Sequence, residues 1–185
     1  MWLYEMGVTG IFTKALDIAL LNGEIDIAVH SMKDVPTMLP KGIVKGAVLE
    51  RANVQDVLVY KGNLDFLSMA EATIATGSLR RKAQWLRRYP THSVENLRGN
   101  IATRLRKLEE QPWQGAIFAA AALERLQHDN LQTLTLDWMT PAPAQGAIMA
   151  VALTNDTYAL EALAQINSPK ADTETDIERR FLKRL

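Results

Sequence analysis

Short apolar runs alternate with amphipathic stretches along most of the chain, which is the rhythm of an α/β fold. Residues 10–21 place Phe12, Leu16, Ala19 and Leu20 on one helical face, and Asn22-Gly23 stops that helix. Strands are predicted over 25–29, 43–49, 54–60, 73–76, 92–97, 115–119, 134–139 and 148–153. Helices are predicted over 79–88 with Ser78 as N-cap, from Asn100 to 109, and over 120–127, 158–166 and 172–185. Strands alternating with helices predict a mostly parallel sheet built of βαβ units. The Pro141-Ala142-Pro143 break followed by Gln145-Gly146 reads as a crossover between domains with a tight backbone approach.

The most informative boundary is the end of the run over 26–36. Ile27, Ala28 and Val29 read as the close of a buried strand, and Pro36 cannot extend it. His30, Ser31, Lys33 and Asp34 therefore fall at a strand's carboxyl end, where open α/β sheets bind ligands. An ordinary solvated turn accounts for the same residues equally well on composition alone.

Composition narrows the field. The 185 residues are 48% hydrophobic and 23% charged, with a formal net charge of zero. That is a globular balance, with no long-range pull on nucleic acid or an anionic membrane. No apolar run is long enough to span a bilayer and no leader pattern opens the chain, so the expectation is a cytoplasmic protein without membrane contact. There is no cysteine, and the three histidines lack metal-ligand spacing, so thiol chemistry and a metal centre are not expected.

Two further clusters repeat one logic. Thr76-Gly77-Ser78-Leu79-Arg80-Arg81 is a strand end turning into a helix, whose free N–H groups and dipole favour an anion. Arg80 and Arg81 add planar forks suited to carboxylate or phosphate. Leu97-Arg98-Gly99-Asn100 does the same, with Arg104 one turn inside its helix and able to point back, while Arg106 and Lys107 are expected to face solvent. Either cluster alone could be a capped helix with solvated arginines. Two in succession favour a polyanion-binding cleft. There is no G-x-G-x-x-G and no Walker loop, and the tryptophans at 85, 113 and 138 are too scattered to stack single-stranded nucleic acid.

On these strings the chain resembles the porphobilinogen deaminase (hydroxymethylbilane synthase) family. The matching pieces are Gly10-Ile11-Phe12-Thr13-Lys14, the Val-His-Ser-Met-Lys-Asp-Val-Pro core ending at Pro36, Gly77 to Arg81, Leu97 to Asn100 with Thr103-Arg104, and Gln145-Gly146-Ala147. The resemblance implies two α/β domains of the type II periplasmic-binding-protein kind with an active site between them. It implies a transferase of porphyrin (tetrapyrrole and heme) biosynthesis that joins four porphobilinogen molecules, each losing ammonia, into a linear tetrapyrrole. It further implies a dipyrromethane cofactor carried by a cysteine of a third domain, and a monomeric intact protein. By the same resemblance Asp34 is the catalytic carboxylate, stabilising the cation formed as ammonia leaves. Ser31, Lys33, Thr76, Ser78, Arg80, Arg81, Arg98 and Arg104 hold the acetate and propionate arms of cofactor and substrate, and Phe12, Asn100 and Gln145 are further candidate substrate contacts.

The chain departs from the family pattern in three ways. Residues 1–50 with 147–166 are expected to form an incomplete first domain, 51–146 a complete second, and 167–185 the start of a third that is otherwise missing. The cofactor-bearing cysteine is absent, so this polypeptide is expected to be inactive alone. Val8-Thr9 stands where a glycine-lysine pair is usual, and Ala15 where an acid is usual. The alternatives are a non-catalytic binding module for a carboxylated metabolite, which needs the arginines but not Asp34, and a nucleic-acid binder using 80–107 as a basic stripe.

Overall fold

The computed structural model describes residues 13–127 and 130–184, which group into two compact units. The split unit is formed by 13–53 together with 142–184, and the inserted unit is Val54–Pro141. Phe12 and the residues before it lie outside the described residues.

In the split unit the strands are β1 (Ile27–Ser31), β2 (Ile43–Val48) and β8 (Ile148–Leu153), in the order β1-β8-β2. Both pairings are antiparallel. β8 reads Ile-Met-Ala-Val-Ala-Leu because it is the central strand and must be apolar on both faces. One face packs Met149 and Val151 with Ala28, Val48, Leu20 of α1 (Lys14–Leu21) and Ala171 of α6 (Pro169–Leu182). The other packs Ala150 and Ala152 with Ala47 and with Ala159 and Leu163 of α5 (Thr157–Ala164). α6 starts at Pro169 behind a Ser168 N-cap, earlier than the apolar periodicity suggests, since proline at the first turn loses no hydrogen bond. It is tied into this unit by Ala171 and by Lys45, which pairs with Asp172 and, at 2.7 Å, with Asp176.

The inserted unit holds β3 (Asp56–Tyr60), β4 (Thr73–Ala75), β5 (Ser93–Glu95), β6 (Gly115–Ala119) and β7 (Thr133–Thr135), in the order β5-β4-β6-β3-β7. β4, β5 and β6 run parallel, while β3 runs against β6 and β7. The helices are α2 (Leu79–Arg88), α3 (Ile101–Glu110) and α4 (Ala120–Arg125), with cores on both sheet faces.

The mostly parallel sheet expected from the alternation is therefore corrected to one antiparallel sheet and one mixed sheet. An apolar run buried on both faces has the same composition in either direction, so strand polarity is not written into it.

Candidate functional site

In the split unit, β1 ends at Ser31 and a 3₁₀ turn over Met32–Asp34 follows. The turn is anchored by its apolar members: Met32 and Val35 are buried, and Met32 N–H donates to Ala147 O at 3.0 Å. Anchoring Met32 and Val35 leaves Lys33 half-buried and Asp34 exposed. Val35 N–H closes the turn on Met32 O at 3.2 Å. A single guanidinium grips it from behind: Arg179 of α6 donates to Met32 O at 3.1 Å, Val35 O at 2.9 Å and Pro36 O. Burial pushes the Arg179 guanidinium down from its ordinary value, with Asp176 opposing. His30 is buried with its Nε2 unpartnered among the described residues.

The second hydrogen-bonded frame of this unit lies at its crossover. Arg51 forms a forked pair with Glu178 (2.7 and 2.9 Å) and donates to Gln145 O at 3.0 Å, while Ala144 N–H donates to the same carboxylate at 2.7 Å. Gly146 has φ +85°, and a Cβ there would meet Ala52 O at 2.4 Å, so the tight approach read from Gln145-Gly146 is present. Gln145 itself is fully buried.

In the inserted unit, three parallel strands send their carboxyl ends to one end of the sheet. Ser78 caps α2, accepting from Arg81 N–H at 3.4 Å, and Asn100 caps α3, accepting from Thr103 N–H at 2.8 Å. The two turns touch, since a Cβ on Gly77 would lie 2.5 Å from Leu97 O. Thr76 is fully buried, its Oγ1 accepting from Ser78 N–H at 3.2 Å. Arg104 bends back to donate to Gly99 O at 2.7 Å, as its helical position suggests. Arg106 is exposed and pairs with Glu110, whereas Lys107 does not face away but donates to Arg98 O at 3.1 Å. The Arg98 side chain is half-buried, and its Nη2 is buried with no hydrogen-bond partner among the described residues.

The two arginines of α2 have different fates. Arg80 is a quarter exposed, lies 2.7 Å from Asp56 Oδ2, and donates to Thr140 O. Arg81 is buried, donating to Asp56 Oδ1 through Nε (3.0 Å) and Nη2 (2.7 Å) and to Ile117 O through Nη1 (3.0 Å). Burial pushes the Arg81 guanidinium down from its ordinary value. The Asp56 carboxylate opposes this, and the charges of Arg80 and Arg104 add to the fall. Three cationic groups thus lie close enough to act on one another, and the buried Arg98 Nη2 at the neighbouring turn has no hydrogen-bond partner among the described residues. Such a set can take carboxylates.

Asp56 was missed by sequence reasoning, although a lone acid opening a Val-Leu-Val run is a visible oddity. Arg51, Glu178 and Arg179 were missed because their partners are remote in the chain. Among the described residues no group of three or more acidic, histidine or cysteine side chains is placed to hold a metal. None of their helices is long and apolar enough to cross a membrane.

Residues 1–161 match the family model described as "Porphobilinogen deaminase, dipyromethane cofactor binding domain". The chain is 44% identical over 99% of its length to the chloroplastic porphobilinogen deaminase of Pisum sativum, covering 51% of that protein. It is 40% identical over 97% to the porphobilinogen deaminase of Paenibacillus macerans, covering 56% of it, and 44% identical over 99% to that of Pelotomaculum thermopropionicum, covering 60%. The chain thus spans about half the length of the curated relatives it matches. Among solved structures it resembles an ancestral cationic amino acid solute binding protein (TM-score 0.55, 15% identity, 90% of this chain and 73% of that one), which shows the type II periplasmic-binding-protein fold. The BvgS VFT2 domain of Bordetella pertussis is similar at TM-score 0.50, 15% identity, 90% of this chain and 72% of that one. By sequence, the chain belongs to the porphobilinogen deaminase family.

Proposed function

We propose that this chain supplies the porphobilinogen-binding and condensing residues of a cytoplasmic, monomeric hydroxymethylbilane synthase. The observation that carries the reading is the paired mouth of the inserted unit. Arg80, Arg98 and Arg104 gather at two touching turns, with the buried Arg98 Nη2 unpartnered. Pyrroles with acetate and propionate arms are polyanions, and each charge-assisted contact contributes about 1.5–3 kcal/mol. Ser78 and the helix N-termini add donors, while buried Thr76 and Arg81 act from behind by fixing the turn. The dipyrromethane fits this mouth, because its carboxylates match the cationic groups there. When bound, it supplies the nucleophilic pyrrole to which units are added.

In the split unit, Asp34 is exposed on a turn whose backbone is pinned by Arg179, with Ser31 and Lys33 beside it. As the C–N bond of porphobilinogen breaks, its electron pair leaves with ammonia and positive charge spreads over the pyrrole. The Asp34 carboxylate stabilises that charge through the ring N–H. A bound dipyrromethane would supply the ring carbon that takes up this cation, and the proton on that carbon would then be released. The reading of a non-catalytic binder needs the same arginines but gives Asp34 no task.

Calorimetric titration of the chain with porphobilinogen, and with its analogue lacking the amino group, tests this. Arg98→Gln is expected to weaken both ligands about tenfold, the equivalent of ~1.4 kcal/mol. Asp34→Asn is expected to erase only the preference for the cationic ligand. Unchanged affinity in the first variant, or an unchanged preference in the second, overturns the assignment. With no cysteine to carry the cofactor, the 185-residue polypeptide is expected to release no ammonia from porphobilinogen; measurable release would refute this.

A further inference from the structure

Asp56 is a carboxylate with no exposed surface at the first residue of β3, opposite Ala119 at the last residue of β6. It therefore lies at the sheet end where the connections following β4, β5 and β6 begin. A buried carboxylate is tolerated only when it is paired and hydrogen-bonded. Here the two oxygens divide the work: Oδ1 accepts hydrogen bonds from both inner nitrogens of Arg81, and Oδ2 faces Nη2 of Arg80 at 2.7 Å as an ion pair outside hydrogen-bond geometry.

Arg80 is held from a second side as well. Its Nη1 donates to Thr140 O, and Gln84 clamps that residue by donating to the same carbonyl at 3.0 Å and accepting from Thr140 N–H at 2.8 Å. Arginine is a long side chain that ordinarily loses much rotamer freedom when it binds. A guanidinium already fixed at both edges has little left to lose.

We propose that Asp56 is a positioning residue that holds Arg80 in its ligand-facing orientation, with Arg81 as the internal counter-charge that allows a carboxylate to remain there. This rests on the carboxylate-binding reading above and deepens it. The arrangement sets two physical effects against each other. As a charge, Asp56 repels an anionic ligand, so its removal should tighten binding. As a clamp it preorganises Arg80, so its removal should weaken binding.

The pair Asp56→Leu with Arg81→Met separates these effects, because it removes one charge of each sign and leaves the net charge unchanged. Apolar replacements of a whole buried pair are commonly tolerated. With a dipyrromethane bearing acetate and propionate arms as the probe, this double variant of the full chain is expected to bind about tenfold more weakly. Arg80→Gln should cost about tenfold in the native background and nothing in the double variant, since a released Arg80 has no advantage to lose. An equal cost in both backgrounds overturns the proposal, as does undiminished affinity in the double variant.

A second measurement, first on the unsubstituted chain, needs no binding. The Arg80 Nε–H order parameter by ¹⁵N relaxation should approach the rigid range of about 0.85, and a value under about 0.6 overturns the proposal. If the native chain does not bind the probe, the carboxylate-binding reading fails, while the order parameter, compared between the native chain and the double variant, still decides whether Asp56 fixes Arg80.

Discussion

The two units solve the same problem, holding polar chemistry still at a strand end, with the same side chain and opposite partners. In the inserted unit a guanidinium is sunk against a carboxylate: Arg81 with Asp56, both buried. In the split unit a half-buried guanidinium meets neutral backbone oxygens: Arg179 with the carbonyls of Met32, Val35 and Pro36. The first arrangement is charge-compensated and costly to leave half-made. The second fixes a backbone path, has the charge of Asp176 nearby but no paired carboxylate among the described residues, and is half open to water. The inserted unit should therefore fail globally when its clamp is broken, and the split unit only locally.

The largest effect is expected from breaking the compensated pair on one side. Asp56→Asn leaves the Arg81 charge buried without its partner, and such losses cost about 3–5 kcal/mol. Trp85, Trp113 and Trp138 all belong to the inserted unit, so their fluorescence in a denaturant titration reports on it. A loss under about 1 kcal/mol, the range of exposed pairs, would mean that burial does not make this pair critical.

A smaller and local effect is expected from Arg179→Gln. The carbonyls it releases lie at a half-open site, so water replaces part of what is lost, and the stability cost should be about 1–2 kcal/mol. The Val35 amide, which closes the turn on Met32 O, should exchange with solvent about tenfold faster or more. The Met32 amide, bonded to Ala147 O on the inner side, should change less. Equal acceleration at both amides would mean that α6 supports the whole unit and not the Asp34 turn in particular.

The contrast also explains what could be read from the chain. Ser78 and Asn100 were legible as caps because a cap is satisfied within three residues. The end of β1 was legible because Pro36 forbids its continuation. Strand direction was not, since the β3 and β6 runs are apolar in either orientation. Nor was the fate of Arg81, which shares its sequence setting with Arg80 and is separated from it only by a 100° step round the helix towards Asp56. The Arg179 grip spans 147 residues, a distance over which no local pattern operates.

The smallest effect is a pH dependence at the crossover of the split unit, and its sign follows from competing causes. Burial alone would push the Glu178 carboxyl up. The hydrogen bonds from Arg51 and from the Ala144 amide, together with the Arg51 charge, outweigh burial and hold it below its ordinary value. A carboxyl lowered in the folded chain binds protons less readily there than in the unfolded chain, so folding is favoured wherever both forms are ionised. That contribution is complete above the unfolded value of about 4.3 and drains away as pH falls from there through the lower folded value. Glu178→Gln should remove that acid-side slope. The readout is the thermal midpoint of the split unit between about pH 6 and pH 3. A variant whose midpoint still falls as steeply as the native one would mean that Glu178 gains nothing from Arg51. The crossover would then be held by the Arg51–Gln145 bond and the close approach at Gly146 alone.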